Sequence, residues 1–417
     1  MESKTERAPI FSFATVLRVQ DWAVDLFARY PWLGWAGWLV FCVASLLRTD
    51  PRRFGSTFQA YLTAAHNFWS GQPVYDLSNL GEYLYWPVSL LVLGPLPELR
   101  PIVAAAIAMT VSAIVLSIAC VVFLRVFLPE RTPRETLQIA GVVLLINIPA
   151  AWYNFKYVQA QIGMTAFMML AAAAIARRRW LMASFWLFFS VITKPLSLVM
   201  LLLCGATQPR MRIGLALALI AALLLPFAFA DMHYVAGEYR IWFVKLQQLA
   251  SVEPGQWPYQ ADFATMLDTI GIDLPRAVQT GVRLAAALGT LYLVWRVARL
   301  KSPVVFAMAV TLFSGCYITL FGPRNEFLSF LVLTPPLTAL ALVLLTRDAR
   351  DQRSWLLIVA ALVIGFHGAL GVDRVLKPFL TFIVLGWLIW LTLEPKRWVA
   401  LLTAGETSSA EAVPQTK

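Results

Sequence analysis

Residues 101–127 read PIVAAAIAMTVSAIVLSIACVVFLRVF, 27 positions whose only charge is Arg125, close to the end. As a helix rising about 1.5 Å per residue, this stretch exceeds the ~30 Å of a bilayer's hydrocarbon. It reads as a transmembrane helix. Working outward, similar apolar segments occur at 32–47, 137–152, 160–176, 209–230, 277–298, 302–321, 328–346, 354–370 and 376–393. Hydrophobic residues make up 59% of the 417 positions and charged residues 14%, whereas soluble domains average about 45–50% and about 25%. A soluble enzyme is excluded. The expected fold is an all-α polytopic membrane protein, a helical bundle of about 10–12 transmembrane or re-entrant segments.

The net charge of +11 does not point to nucleic acid, because the Lys and Arg residues are spread over short loops, as membrane orientation requires. Cys42, Cys120, Cys204 and Cys316 lie in apolar segments without CxxC spacing and read as small buried hydrophobes. Residues 1–31 read as a cytoplasmic interfacial segment, since 11–29 (FSFATVLRVQDWAVDLFAR) mixes aromatics with spaced charges. One membrane domain follows over 32–395, and 396–417 reads as a disordered cytoplasmic tail.

Basic clusters at Arg125–Arg134, Arg177–Arg179, Arg210–Arg212, Arg296–Lys301, Arg347–Arg353 and Lys396–Arg397 are assigned to the cytoplasm. The other side then receives 48–85, 154–159, 231–276, 322–326 and 367–374, which hold most of the unexplained polar residues. Two segments break the alternation of sides. Segment 86–97 (WPVSLLVLGPLP) is too short to span. Segment 181–204 begins and ends beside arginines and carries Lys194-Pro195 in its middle. It reads as two half-helices with Lys194 at an external apex lining a polar cavity; a kinked ordinary span with a snorkelling Lys194 is the alternative.

Carboxylates suited to a general base in the external segments are Asp50, Asp76, Glu82 and Glu326. Plainer roles are an Asp50 ion pair with Arg52 or Arg53, turn capping by Asp76, and Arg324–Glu326 pairing. Residues 152–161 (WYNFKYVQAQ) place Asn154, Lys156, Gln159 and Gln161 beside aromatics, a mixture suited to sugar and head-group contact. Trp69, Tyr83, Tyr85 and Trp86 suit sugar stacking or lipid entry, and interfacial anchoring equally. His66, His233 and His367 lack ligand spacing, and no HExxH, DxD, GxxxxGK[ST] or GxSxG occurs. No metal or cofactor is expected.

In order along the chain, Phe58 to Tyr61, Ala64-Ala65, Gly71-Gln72-Pro73-Val74-Tyr75-Asp76, Tyr85-Trp86-Pro87, Pro95-Leu96-Pro97, Asn154 with Gln159-Ala160-Gln161, the arginine turn 177–179, Lys194-Pro195, Gln260 and Gly322-Pro323-Arg324 form a pattern. It resembles the polyprenol-phosphate-dependent glycosyltransferases of family 87, membrane enzymes of the GT-C class, over roughly 32–395. The resemblance implies transfer of a hexose, commonly mannose, from a polyprenyl-phosphate donor to a lipid or glycan acceptor. The reaction would occur on the external or periplasmic face of a bacterial plasma membrane, among membrane lipids. It implies a carboxylate base, in the order Asp50, Glu326, Asp76. Phosphate and sugar would be bound by Lys194, Arg324, Lys156, Asn154, Gln159, Gln161, Tyr85 and Gln260. In one respect the chain departs from the family: the position of its leading acid, before the aromatic-x-x-Tyr, is Thr57.

Thr57 keeps open a non-catalytic protein that binds a lipid-linked sugar. A lipid or sugar transporter is the other alternative, disfavoured because broken segments occur only in the N-terminal half.

Overall fold

The computed structural model describes residues 13–48, 55–79, 83–250, 260–322, 325–348, 351–368 and 370–403. It is 81% helical, without strands among the described residues. In chain order the helices are α1 (Phe13–Arg29), α2 (Leu33–Leu47), α3 (Gly55–Trp69), α4 (Val88–Leu93), α5 (Pro101–Phe127), α6 (Pro133–Ile146), α7 (Ile148–Lys156) and α8 (Gln161–Ala176). Next come α9 (Trp180–Thr193), α10 (Leu198–Thr207), α11 (Arg212–Leu224), α12 (Met232–Ala250), α13 (Phe263–Thr269) and α14 (Arg276–Ala298). The last five are α15 (Pro303–Phe321), α16 (Thr334–Leu345), α17 (Gln352–Gly365), α18 (Leu370–Leu393) and α19 (Lys396–Thr403); a 3-10 turn over Phe327–Val332 leads into α16.

Among the described residues, six helices are long and apolar enough to cross a membrane, and up to eight if each bent pair is one span. The expected span 137–152 is two helices, α6 and α7, bent by 64°. Pro149 has no N–H to continue the ladder, and Asn147 at the junction donates to Val143 O and to Thr338 Oγ1. The spans expected at 32–47, 160–176 and 354–370 are helices of 15, 16 and 14 residues, shorter than a full crossing. Burial sorts the layers: the window in α15 is 89% buried and that over Phe327–Leu345 94%, against 17% in α14. The centre is therefore α8, α15 and α16, with α5, α11, α14 and α18 around it.

Small residues let backbones approach. Gly34 of α2 lies directly on the Gly141 backbone of α6, and alanines of α5 and α8 are fully buried. Gly214, at the start of α11, lies against Ser184 and Leu181 at the start of α9. The chain has thus returned to where α9 began, so α9 and α10 form a hairpin whose tip is Lys194. At the opposite end, arginines cap helix carbonyls: Arg131 donates to Thr346 O at 2.8 Å, Arg296 to Leu393 O at 2.9 Å, and Arg347 to Leu401 and Leu402.

The tail expected to be disordered from 396 instead starts as α19. Trp398, Leu401 and Leu402 are buried, and the Trp398 indole donates to Thr392 Oγ1 at 3.0 Å. The three apolar side chains give the segment one face to bury against α15, α16 and α18. Residues 404–417 lie outside the described residues.

Candidate active site

Around the hairpin tip the structure gathers a cluster of Tyr61, Tyr75, Tyr83 and Tyr85. Tyr61 of α3 donates to Gln159 Oε1 at 3.1 Å, and the Tyr61 and Tyr85 hydroxyls are 2.8 Å apart. With the Tyr61 proton on Gln159, Tyr85 is the donor of that second bond, and its oxygen is left with lone pairs only. Tyr75 donates to the Tyr85 carbonyl at 2.7 Å, and Tyr83 packs edge-on to Tyr61. Burial pushes the Tyr61, Tyr75 and Tyr83 phenols well above their usual range, so they serve as neutral hydrogen-bonding groups.

Lys194 enters from α9. Proline at 195 disfavours helical backbone at the preceding residue, and Lys194 is extended at φ −153°, ψ 122°. Its half-buried side chain places Nζ 5.7 Å from the centroid of the Tyr85 ring. Glu326 is half-buried and close enough to Tyr61 for its charge to act on that phenol. Glu326 is held by an antiparallel bridge to Gln260. Next to that bridge Asn325, buried, donates to the carbonyls of Thr319 at 2.7 Å and Ala261 at 3.2 Å. An ammonium over the Tyr85 ring and a carboxylate whose charge reaches Tyr61 are thus both associated with one pair of tyrosines.

The structure separates the remaining expected residues. Gln159 and Tyr85 are in the cluster, and buried Gln260 adjoins Glu326. Asn154 and Gln161, expected to hold the donor, are completely buried and donate instead to Leu328 O at 3.1 Å and Ser329 O at 3.3 Å. Their short amide arms end on the 3-10 turn that follows Glu326, so they fasten that turn. Lys156 is exposed at the end of α7, over the rings of Tyr153 and Tyr157 at 5.2 and 5.3 Å. Asp76 is exposed, and its Oδ1 accepts from the Ser78 hydroxyl and amide at 2.7 and 2.8 Å. Those bonds hold its carboxyl below the usual range, so Asp76 is the turn cap. Asp50, Glu82 and Arg324 lie outside the described residues. Thr57 lies one helical turn before Tyr61 on α3.

Three features were not singled out from the sequence. Glu238 of α12 is buried, with Val74 N donating to its Oε2 at 3.1 Å. Asp262, fully buried, caps α13 through Thr265 and pairs with Arg283 at 3.1 Å. His367, Asp373 and Lys377 form a buried cluster in which Lys377 Nζ is 2.8 Å from His367 Nδ1, and the His367 ring packs on Tyr153 and Phe327. Asp373 and Lys377 stand at i, i+4 on α18, but His367 lies before that helix starts, so helical spacing marks only two of the three. Among the described residues no group of three or more His, Cys, Asp or Glu side chains is arranged to hold a metal ion.

A bundle of membrane-length helices that encloses a hairpin-tip lysine, a carboxylate and a tyrosine cluster at one end defines an integral membrane protein with a polar site. Residues 83–323, more than half of the chain, match glycosyltransferase family 87, and the protein belongs to that family. It is a membrane glycosyltransferase. No curated protein matches its sequence.

Proposed function

We propose that the protein moves a hexose, with mannose the first choice, from a polyprenyl phosphate to a hydroxyl of a lipid or glycan. The proposed setting is the external face of a bacterial plasma membrane, since the arginine-rich turns take the cytoplasmic side. The observation that carries this reading is the Lys194 ammonium 5.7 Å from the Tyr85 ring, whose hydroxyl meets that of Tyr61; the charge of half-buried Glu326 acts on the same Tyr61 phenol. In the reaction, the Glu326 carboxylate takes the proton of the acceptor hydroxyl as that oxygen bonds to the anomeric carbon. The bond from this carbon to the phosphate oxygen breaks, and its electron pair stays on the polyprenyl phosphate. Lys194 lies where that added charge would be neutralised, with Arg324 as the second cation expected from the sequence. The Tyr85 ring, beneath the ammonium, offers a stacking face to the sugar. Asp76 is engaged in its turn, so Glu326 takes precedence over it as base.

The test is transfer of radiolabel from polyprenyl-phosphate mannose to total membrane lipid and glycan by purified wild type, Lys194→Ala, Glu326→Gln and Asp76→Asn. A general base contributes about 10²–10⁴-fold, so Glu326→Gln is expected to lose at least ~100-fold and Asp76→Asn almost nothing. Loss in Asp76→Asn with Glu326→Gln intact would move the base to Asp76, and loss in neither would return it to Asp50. A wild type that binds the donor without turnover would support the non-catalytic reading that Thr57 motivates.

A further inference from the structure

One face of α12 is given over to the main chain of the segment that carries the tyrosine cluster. Tyr234 donates to Gln72 O at 2.7 Å. One turn on, the Glu238 carboxylate accepts from Val74 N at 3.1 Å. A further turn on, the Trp242 indole donates to Leu84 O at 3.0 Å. The spacing of four residues repeated twice keeps all three on one stripe. Lys245, three residues further and fully buried, lies close enough to act on the charge of Asp76. The ring of Trp242 also packs on Trp86.

The described residues of this segment, 72–79 and 83–85, have no helix or sheet to satisfy their backbone, so these side chains take the place of a pairing strand. Two of the bonds lead to Tyr85. Trp242 holds the carbonyl of the residue before it, and Glu238 holds the amide of Val74, next to Tyr75, whose hydroxyl in turn holds the Tyr85 carbonyl. Burying a carboxylate is costly unless it is hydrogen-bonded, and the buried Glu238 carboxylate accepts from the loop amide of Val74.

We propose that Glu238 and Trp242 are positioning residues that set the Tyr85 ring beneath Lys194, so that α12 determines how tightly the donor is held. The part concerning the donor rests on the function proposed above; the positioning itself does not. Two measurements on the full-length protein separate them. The first is hydrogen exchange of amides 74–85, without substrate, in wild type, Glu238→Ala, Glu238→Gln and Trp242→Phe. The second is the KM for polyprenyl-phosphate mannose and kcat in the same set, with Lys194→Ala as reference.

Glu238→Ala is expected to speed exchange at 74–85 about tenfold and raise donor KM by a similar factor, with kcat per folded molecule within about threefold. Glu238→Gln keeps an acceptor oxygen and should restore both; Trp242→Phe should behave like Glu238→Ala. Unchanged exchange in Glu238→Ala would overturn the proposal, as would a Glu238→Gln no better than alanine. So would a loss confined to kcat, or a raised KM in Lys194→Ala that Glu238→Ala does not share. Faster exchange with donor KM unchanged in both Lys194→Ala and Glu238→Ala would uphold the positioning and sink the donor reading alone.

Discussion

The indole N–H of Trp86 donates to the carbonyl of Val191 at 3.3 Å. In an unbroken helix that carbonyl would accept from the amide four residues on, which is position 195, a proline with no N–H to give. The same proline that breaks α9 and exposes Lys194 thus creates the acceptor that fastens Trp86, and with it Tyr85, to the hairpin tip.

Replacing Trp86 by Phe keeps the ring and removes the donor, leaving a buried carbonyl unpaired at a cost of about 1–3 kcal/mol. Thermal unfolding in detergent is expected to move down accordingly. A Trp86→Phe/Pro195→Ala double variant returns a backbone N–H to Val191, so its midpoint should lie above that of Trp86→Phe.

Asn154 and Gln161 hold the turn after Glu326. Asn154→Leu and Gln161→Leu each remove a donor from a buried carbonyl, again about 1–3 kcal/mol. Lower unfolding temperatures with an unchanged donor KM are the expected result. A raised donor KM in a well-folded Asn154→Leu would restore the direct donor contact first expected from the sequence.

Thr57 and Tyr61 share a face of α3, one turn apart. An aspartate at 57 would therefore stand on the Tyr61 side, in a first helical turn that favours negative charge. In the Glu326→Gln background, Thr57→Asp is expected to recover at least about tenfold of the lost transfer rate. No recovery in a correctly folded double variant would separate position 57 from the base.

Burial pushes the His367 imidazole down from its usual value, Lys377 adds to that shift, and Asp373, 3.7 Å away, opposes it. The unfolded chain thus takes up this proton more readily than the folded one. The stabilisation is complete above the unfolded value of about 6.5 and is lost as pH falls below it towards the lowered folded value. Unfolding midpoints measured at about pH 7.5 and about pH 5.5 should differ more in wild type than in His367→Gln. Equal slopes would mean that His367 titrates alike in both states.

At the crossing of α2 and α6, a Cβ on Gly34 would overlap the Gly141 carbonyl, and backbone cannot swing aside as a side chain can. Gly34→Ala is expected to destabilise by about 1–3 kcal/mol, seen as a lower unfolding midpoint. Gly281, where an added Cβ meets nothing, serves as the neutral comparison.

Much of this architecture is legible in the chain, because membrane insertion imposes requirements that act along a single segment. Apolar length reveals spans such as α5 and α15, whatever their neighbours. A lysine-proline pair in an apolar run forces a break, so Lys194 was placed at a hairpin tip from its own segment. The aromatic run 83–86 and the polar run 152–161 mark Tyr85 and Gln159 as candidates on their own. What depends on distant segments is not visible. The bend at Asn147 needs Thr338 from α16, Asn154 and Gln161 look equally polar whether they face a sugar or a backbone carbonyl, and α19 buries against α15 and α16. The stripe on α12 is periodic in sequence, but only the folded chain supplies the loop amides and carbonyls it binds. A hydrogen-bonding group's role is decided by the partner that reaches it, and in a bundle those partners arrive from helices a hundred or more residues away.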